Sequence, residues 1–155
     1  MNEKKIKLEP DQAILTAYLH EDEEIREAVL ICPGGAYRYC APGEGRPVAE
    51  AYYQAGLNTF VLEYSTLEGI FGSPKKDKDE VYDCAIADLK SAFSHIQENA
   101  EEYHTDPKKI SLVGFSAGAN LSYSATLLKK VRPLAVILGY GAFTDDVVSD
   151  LGVHR

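Results

Sequence analysis

The chain has 155 residues, the size of one domain, and 45% hydrophobic with 26% charged residues is an ordinary globular composition. Its net charge is −8, and its lysines and arginines are scattered or paired rather than gathered in a stripe, which argues against nucleic acid as a partner. Three cysteines (Cys32, Cys40, Cys84) without CxxC spacing argue against a disulfide framework or zinc site, and no apolar run suits a signal peptide or bilayer span, so a cytoplasmic protein without a membrane partner is expected.

Taken in chain order, Ile6–Leu8 and Ala13–Leu19 predict two short strands around the turn-like Glu9-Pro10-Asp11, and so an antiparallel pair. Ala28–Cys32 is a continuous apolar run stopped by Pro33-Gly34-Gly35, the pattern of a strand buried on both faces. Pro47–Ala55 predicts a helix closed by Gly56, and Asn58–Tyr64 another strand. A polar loop from Ser65 to about Lys78 leads into the longest helix, Asp79 to about Tyr103. Its Val81, Ala85, Leu89, Ala92, Phe93, Ile96 and Ala100 recur at spacings of three and four. Asp106-Pro107 is read as a break before the strand Ile110–Gly114, followed by a helix from Ser116 to Lys130 and a last strand, Leu134–Leu138. Buried strands alternating with helices imply an α/β fold, with about six strands in a mostly parallel sheet, an antiparallel edge pair and helices on both faces.

Gly114-x-Ser116-x-Gly118 falls where a buried strand hands over to a helix. Alone, such a three-position match arises by chance in roughly one chain in twenty of this length. Its place in the fold makes it a candidate nucleophile elbow: a turn so tight that side chains two residues either side of Ser116 would clash, with the hydroxyl exposed at a helix N-terminus. The plain alternative is that Ser116 merely caps the helix. Independently, the strand Ala28–Cys32 runs into Pro33-Gly34-Gly35-Ala36-Tyr37, where small residues let backbone N–H groups approach a ligand. Serine esterases need such donors, one from the residue after the nucleophile, here Ala117, and others from a loop after the third strand.

Four segments, Ile31–Tyr37, Arg46–Ala49, Gly56–Ser65 and Val113–Leu121, together resemble the acetyl-esterase and acetylxylan-esterase-like α/β hydrolases over about residues 25 to 142. The resemblance implies a serine carboxylesterase of small acyl esters, acetylated sugars among them. It carries Ser116 over as nucleophile and Gly35, Ala36 and Ala117 as oxyanion-hole donors. Pro33 stands where related lipases have His, and Ala36 where they have a third Gly. In such hydrolases the acid follows the seventh strand and the His lies near the C-terminus. Here the chain ends soon after the sixth, so residues 1–155 are expected to form a single but incomplete domain lacking the last two strands, the acid and the base. Loss of the His from a comparable triad costs about 10⁶ in turnover. Asp145, Asp146 and Asp150 precede His154, so the order Ser…Asp…His survives formally, and at about 3.3 Å per extended residue the tail could span the site. Terminal segments fray, however, and Asp145 and His154 supply no secure acid and base. His20, His95 and His104 are poorer candidates, the last being read as a helix-ending cation.

Leu134–Leu138, apolar on both faces, would be a sticky sheet edge unless paired with a second copy or covered by Phe143–Val153. Tyr37, Tyr39 and the Ser65–Lys78 loop are evenly balanced between lining an acyl or sugar pocket and simple packing. Cys40 reads as a plain thiol, Glu63 and Asp88 as solvated or paired faces, and with no metal-ligand cluster or phosphate loop no cofactor is expected. Three functional possibilities remain: an esterase fold carrying nucleophile and oxyanion hole without its base, a small esterase that rebuilds the base from its tail or a partner subunit, and a non-catalytic binding or assembly module that keeps the elbow as a packing turn.

Overall fold

The computed structural model describes residues 1–10, 13–69 and 78–143. Six strands form one sheet in the order β1-β2-β4-β3-β5-β6: β1 Glu3–Leu8, β2 Ala13–Tyr18, β3 Arg26–Cys32, β4 Asn58–Glu63, β5 Thr105–Phe115 and β6 Val136–Gly139. β1 runs antiparallel to β2 and β2 to β4, while β3, β4, β5 and β6 run parallel, so the expected α/β sheet with its antiparallel edge is what the chain forms.

The central strands are buried because their side chains alternate between two apolar layers. Ala28, Leu30 and Cys32 of β3, Phe60 and Leu62 of β4, and Ile110 and Leu112 of β5 enter the larger core. Val29, Ile31, Val61 and Val113 point to the other face. Helices α2 (Lys78–Glu98) and α3 (Ala117–Leu127) cover the first face, and α1 (Arg46–Gln54) covers the second through Ala49. All seven apolar residues at helical spacing between Val81 and Ala100 are buried. Each fully buried Leu or Ile among them contributes on the order of 2 kcal/mol.

Several boundaries differ from expectation. α2 stops at Glu98, and residues up to His104 form turns, so His104 (φ +47°) lies beyond the helix instead of in its last turn. Asp106-Pro107 does not precede β5 but sits inside it. Arg26 pairs with Thr105 and Ala28 with Ile110, so the intervening residues of β5 bulge outward, where a proline is tolerated. Of the two possibilities for Asp88, solvated or paired, the second holds: it is buried, and its Oδ2 accepts the Ser65 N–H at 2.7 Å, fixing the chain as it leaves β4.

The two sheet edges contrast. β1 carries Lys4, Lys5 and Lys7, charges that discourage edge-to-edge association. At the opposite edge, Leu134 is 56% and Ile137 48% exposed. Of the segment expected to cover this edge, everything beyond Phe143 lies outside the described residues. Among the described residues, no helix is long and apolar enough to cross a membrane.

Candidate active site

β5 ends at Phe115 and α3 begins at Ala117, which leaves Ser116 alone to reverse the chain. It does so at φ +51° and ψ −115°, a conformation an L-residue rarely adopts. Helix-capping serines hold extended backbone and bond the N2 or N3 amide with their side chain. Ser116 occupies the cap position but does neither, since its side chain makes no capping hydrogen bond. Its hydroxyl is therefore not committed to the helix.

The flanking glycines are sterically required. A Cβ on Gly114 would lie 2.6 Å from the Gly118 carbonyl carbon and 2.7 Å from the Ala119 nitrogen. One on Gly118 would run into the Cys32 carbonyl and sit 2.6 Å from the Pro33 oxygen. The elbow is thus wedged against the C-terminal end of β3, from which the glycine loop departs. Ser116 N–H donates to the Gly139 carbonyl at 2.8 Å, tying the elbow to β6 as well.

The same wedging brings the two sequence motifs together. A Cβ on Gly34 would stand 3.0 Å from Ser116 Cβ, so Gly34 lies against the serine side chain. Beyond it the backbone turns through positive φ at Gly35 (+132°), Ala36 (+56°) and Tyr37 (+57°). The Gly35 carbonyl accepts from Arg38 and Tyr39, and the Gly34 carbonyl accepts from Ala41. The N–H groups of Gly35 and Ala36 donate to no backbone carbonyl of the described residues. Ala117, buried, contributes one of the first-turn N–H groups that a helix leaves without an internal acceptor.

Three buried side chains hold this arrangement. Tyr37 is 2% exposed, so it belongs to the core and not to a pocket wall. Its hydroxyl donates to Asn120 Oδ1 at 2.8 Å, and Asn120 Nδ2 donates to the Ala142 carbonyl at 2.7 Å, linking glycine loop, α3 and the segment after β6. Tyr64 Oη donates to the Pro33 carbonyl at 2.5 Å. Burial pushes both phenols well above their usual range, so they remain neutral donors. Asn120 escaped sequence reasoning, although a lone amide in the apolar helix Ala117–Leu127 is a signal for a buried bond.

Other candidates fall elsewhere. Tyr39, Thr66 and Gly69 line a hollow of about 390 Å³, but it opens beside Lys5 and Glu63, and Ser116 is not among its lining residues. Cys40 donates to the Tyr64 carbonyl at 3.8 Å, and burial pushes its thiol up to about 12, consistent with an inert thiol. His20 stacks on Tyr53 at 4.0 Å, His95 meets the Tyr103 hydroxyl at 2.8 Å, and His104 meets the Asp22 carbonyl at 3.0 Å. Burial lowers the His95 pKa. Asp145, Asp146, Asp150 and His154 lie outside the described residues. Among the described residues, no group of three or more His, Cys, Asp or Glu side chains could hold a metal ion.

Comparison with known proteins places this geometry. The chain is similar to endo-1,4-beta-xylanase B of Butyrivibrio fibrisolvens, 38% identical over 107 residues that make up 69% of this chain and 16% of that protein. It is 25% identical over 138 residues to an acetylxylan esterase of Xylanibacter ruminicola, covering 87% of this chain and 26% of the relative. Among solved structures, an α/β hydrolase enzyme from a Medee basin deep-sea metagenome library superposes with a TM-score of 0.80 at 36% identity, over 93% of this chain and 58% of that one. The chain therefore spans about a quarter or less of these curated relatives and somewhat over half of the solved neighbour. The fold is that of an esterase-like α/β hydrolase. With the family model matching residues 18–145, the chain belongs to the BD-FAE family.

Proposed function

We propose that this chain carries the acyl-transfer half of a serine ester hydrolase site, with Ser116 as nucleophile and the N–H groups of Gly35, Ala36 and Ala117 as the oxyanion hole. The observation that carries it is the backbone of Ser116: a strained conformation at φ +51°, with the side chain unused as a cap, beside a loop in which the Gly35 and Ala36 N–H groups donate to no backbone carbonyl of the described residues. A turn needed only for packing would be better served by glycine, so a serine kept there argues for use of its hydroxyl. In the reaction, Ser116 Oγ bonds to the acyl carbon and the carbonyl π electrons move onto its oxygen, where the N–H groups receive them. Collapse of the adduct expels the alcohol, which takes up the serine proton, and water later releases the acid. Small acyl esters suit the site, and acetylated sugars are the class suggested by the acetylxylan esterase relative. The acid and base of the triad are missing or rebuilt, and Asp145 and His154 are the residues from which this chain would rebuild them.

The test is release of p-nitrophenol from p-nitrophenyl acetate by the purified chain and by Ser116→Ala. The expected result is at least one equivalent released per chain, as a burst where deacylation is slow and as turnover where a base is present, with only background in Ser116→Ala. Equal background rates from both would favour the non-catalytic module that keeps the elbow for packing.

A further inference from the structure

A carboxylate stands beside the candidate nucleophile. Glu44 Oε1 and Ser116 Cβ are each 3.0 Å from the point a Gly34 Cβ would occupy, so at most two contact distances separate them. Glu44 is tied to the glycine loop through its backbone. It closes the 3₁₀ turn Pro42–Glu44, its N–H donates to the Ala41 carbonyl at 3.1 Å, and the Ala41 N–H donates to Gly34 at 2.8 Å. This sets the carboxylate on the same loop that carries Gly35 and Ala36. Its other oxygen, Oε2, accepts the Tyr140 hydroxyl at 2.5 Å, and this bond holds the Tyr140 phenol above its usual pKa. Tyr140 follows β6 directly after Gly139, the residue that receives the Ser116 N–H, and its ring leans on Phe115 at 5.8 Å. Tyr140 is nonetheless 71% exposed.

A negative charge this close to the candidate nucleophile opposes the build-up of further negative charge there unless the substrate makes use of it. A carboxylate can only accept hydrogen bonds, and an exposed aromatic ring beside it offers an apolar platform. Together they fit an alcohol that carries hydroxyl groups next to its ester oxygen and C–H bonds on one face. We propose that Glu44 and Tyr140 form a specificity site for the hydroxyl-bearing alcohol portion of the substrate, Glu44 accepting from a hydroxyl and Tyr140 packing on the C–H face. The proposal rests on the assignment of Ser116 as the acyl acceptor.

Saturation-transfer NMR with methyl β-xylopyranoside tests it on the full chain without requiring turnover. The expected result is saturation transfer to the glycoside from the native chain and equally from Ser116→Ala. Glu44→Ala, at a half-buried position, and Tyr140→Ala, at an exposed one, both checked for unchanged circular dichroism, should each reduce it at least threefold. No transfer from the native chain, or transfer unchanged in both Glu44→Ala and Tyr140→Ala, would overturn the proposal. Failure of the nucleophile assignment shows separately, as p-nitrophenol release insensitive to Ser116→Ala.

Discussion

A Gly118→Ala chain is expected to lose about 3 kcal/mol of stability, enough to raise the unfolded population more than about a hundredfold in a domain with a typical margin of 5–15 kcal/mol. The added methyl would meet only backbone: the Cys32 carbonyl and the Pro33 oxygen at the end of β3. No flexible side chain can move aside, so either a central strand shifts or α3 lifts away from the sheet. Gly43→Ala is the matched control, because a Cβ there has nothing within 4 Å, and it should change stability by no more than about 0.5 kcal/mol. Urea denaturation of both variants measures the contrast. A Gly118→Ala chain as stable as the native one would mean that the elbow is not wedged against β3.

Ser116→Gly should act in the opposite direction on stability. Backbone held at φ +51° and ψ −115° costs an L-residue on the order of 1–3 kcal/mol, and glycine escapes that cost while losing about 0.5–1 kcal/mol to its greater freedom in the unfolded chain. The expected net gain is about 1 kcal/mol, a rise in Tm of a few degrees, accompanied by complete loss of ester cleavage. Ser116→Ala keeps the strain and should lose cleavage with little change in Tm. This pairing separates a turn kept for packing from a turn kept for its hydroxyl. A Ser116→Gly chain less stable than Ser116→Ala would show that the serine conformation carries no strain.

Much of this architecture is legible in the residues because two elementary patterns carry it. Continuous apolar runs such as Ala28–Cys32 mark strands buried on both faces, and the Val81–Ile96 spacing marks the face α2 turns to the sheet. The elbow could be read for a third reason, that a turn of this tightness admits only glycine at positions 114 and 118. What escaped depends on contacts between distant segments. Pro107 reads locally as a break, yet pairing of Arg26 with Thr105 draws it into a bulged strand. Tyr37 reads as a loop aromatic, yet its ring meets Tyr64 and Tyr82 edge-on in the core. Glu44 and Tyr140 have no local signature at all, because their pairing exists only once the glycine loop and the end of β6 converge on Ser116.

The most direct measurement is peptide mapping of the chain after prolonged reaction with a fluorophosphonate, a reagent that phosphonylates activated serine hydroxyls. A single adduct is expected on the peptide containing Ser116, approaching one per chain, with none on that peptide in Ser116→Ala. A folded chain whose Ser116 stays unmodified, or whose serines are modified at indistinguishable rates, would contradict the assignment of Ser116 as a nucleophile.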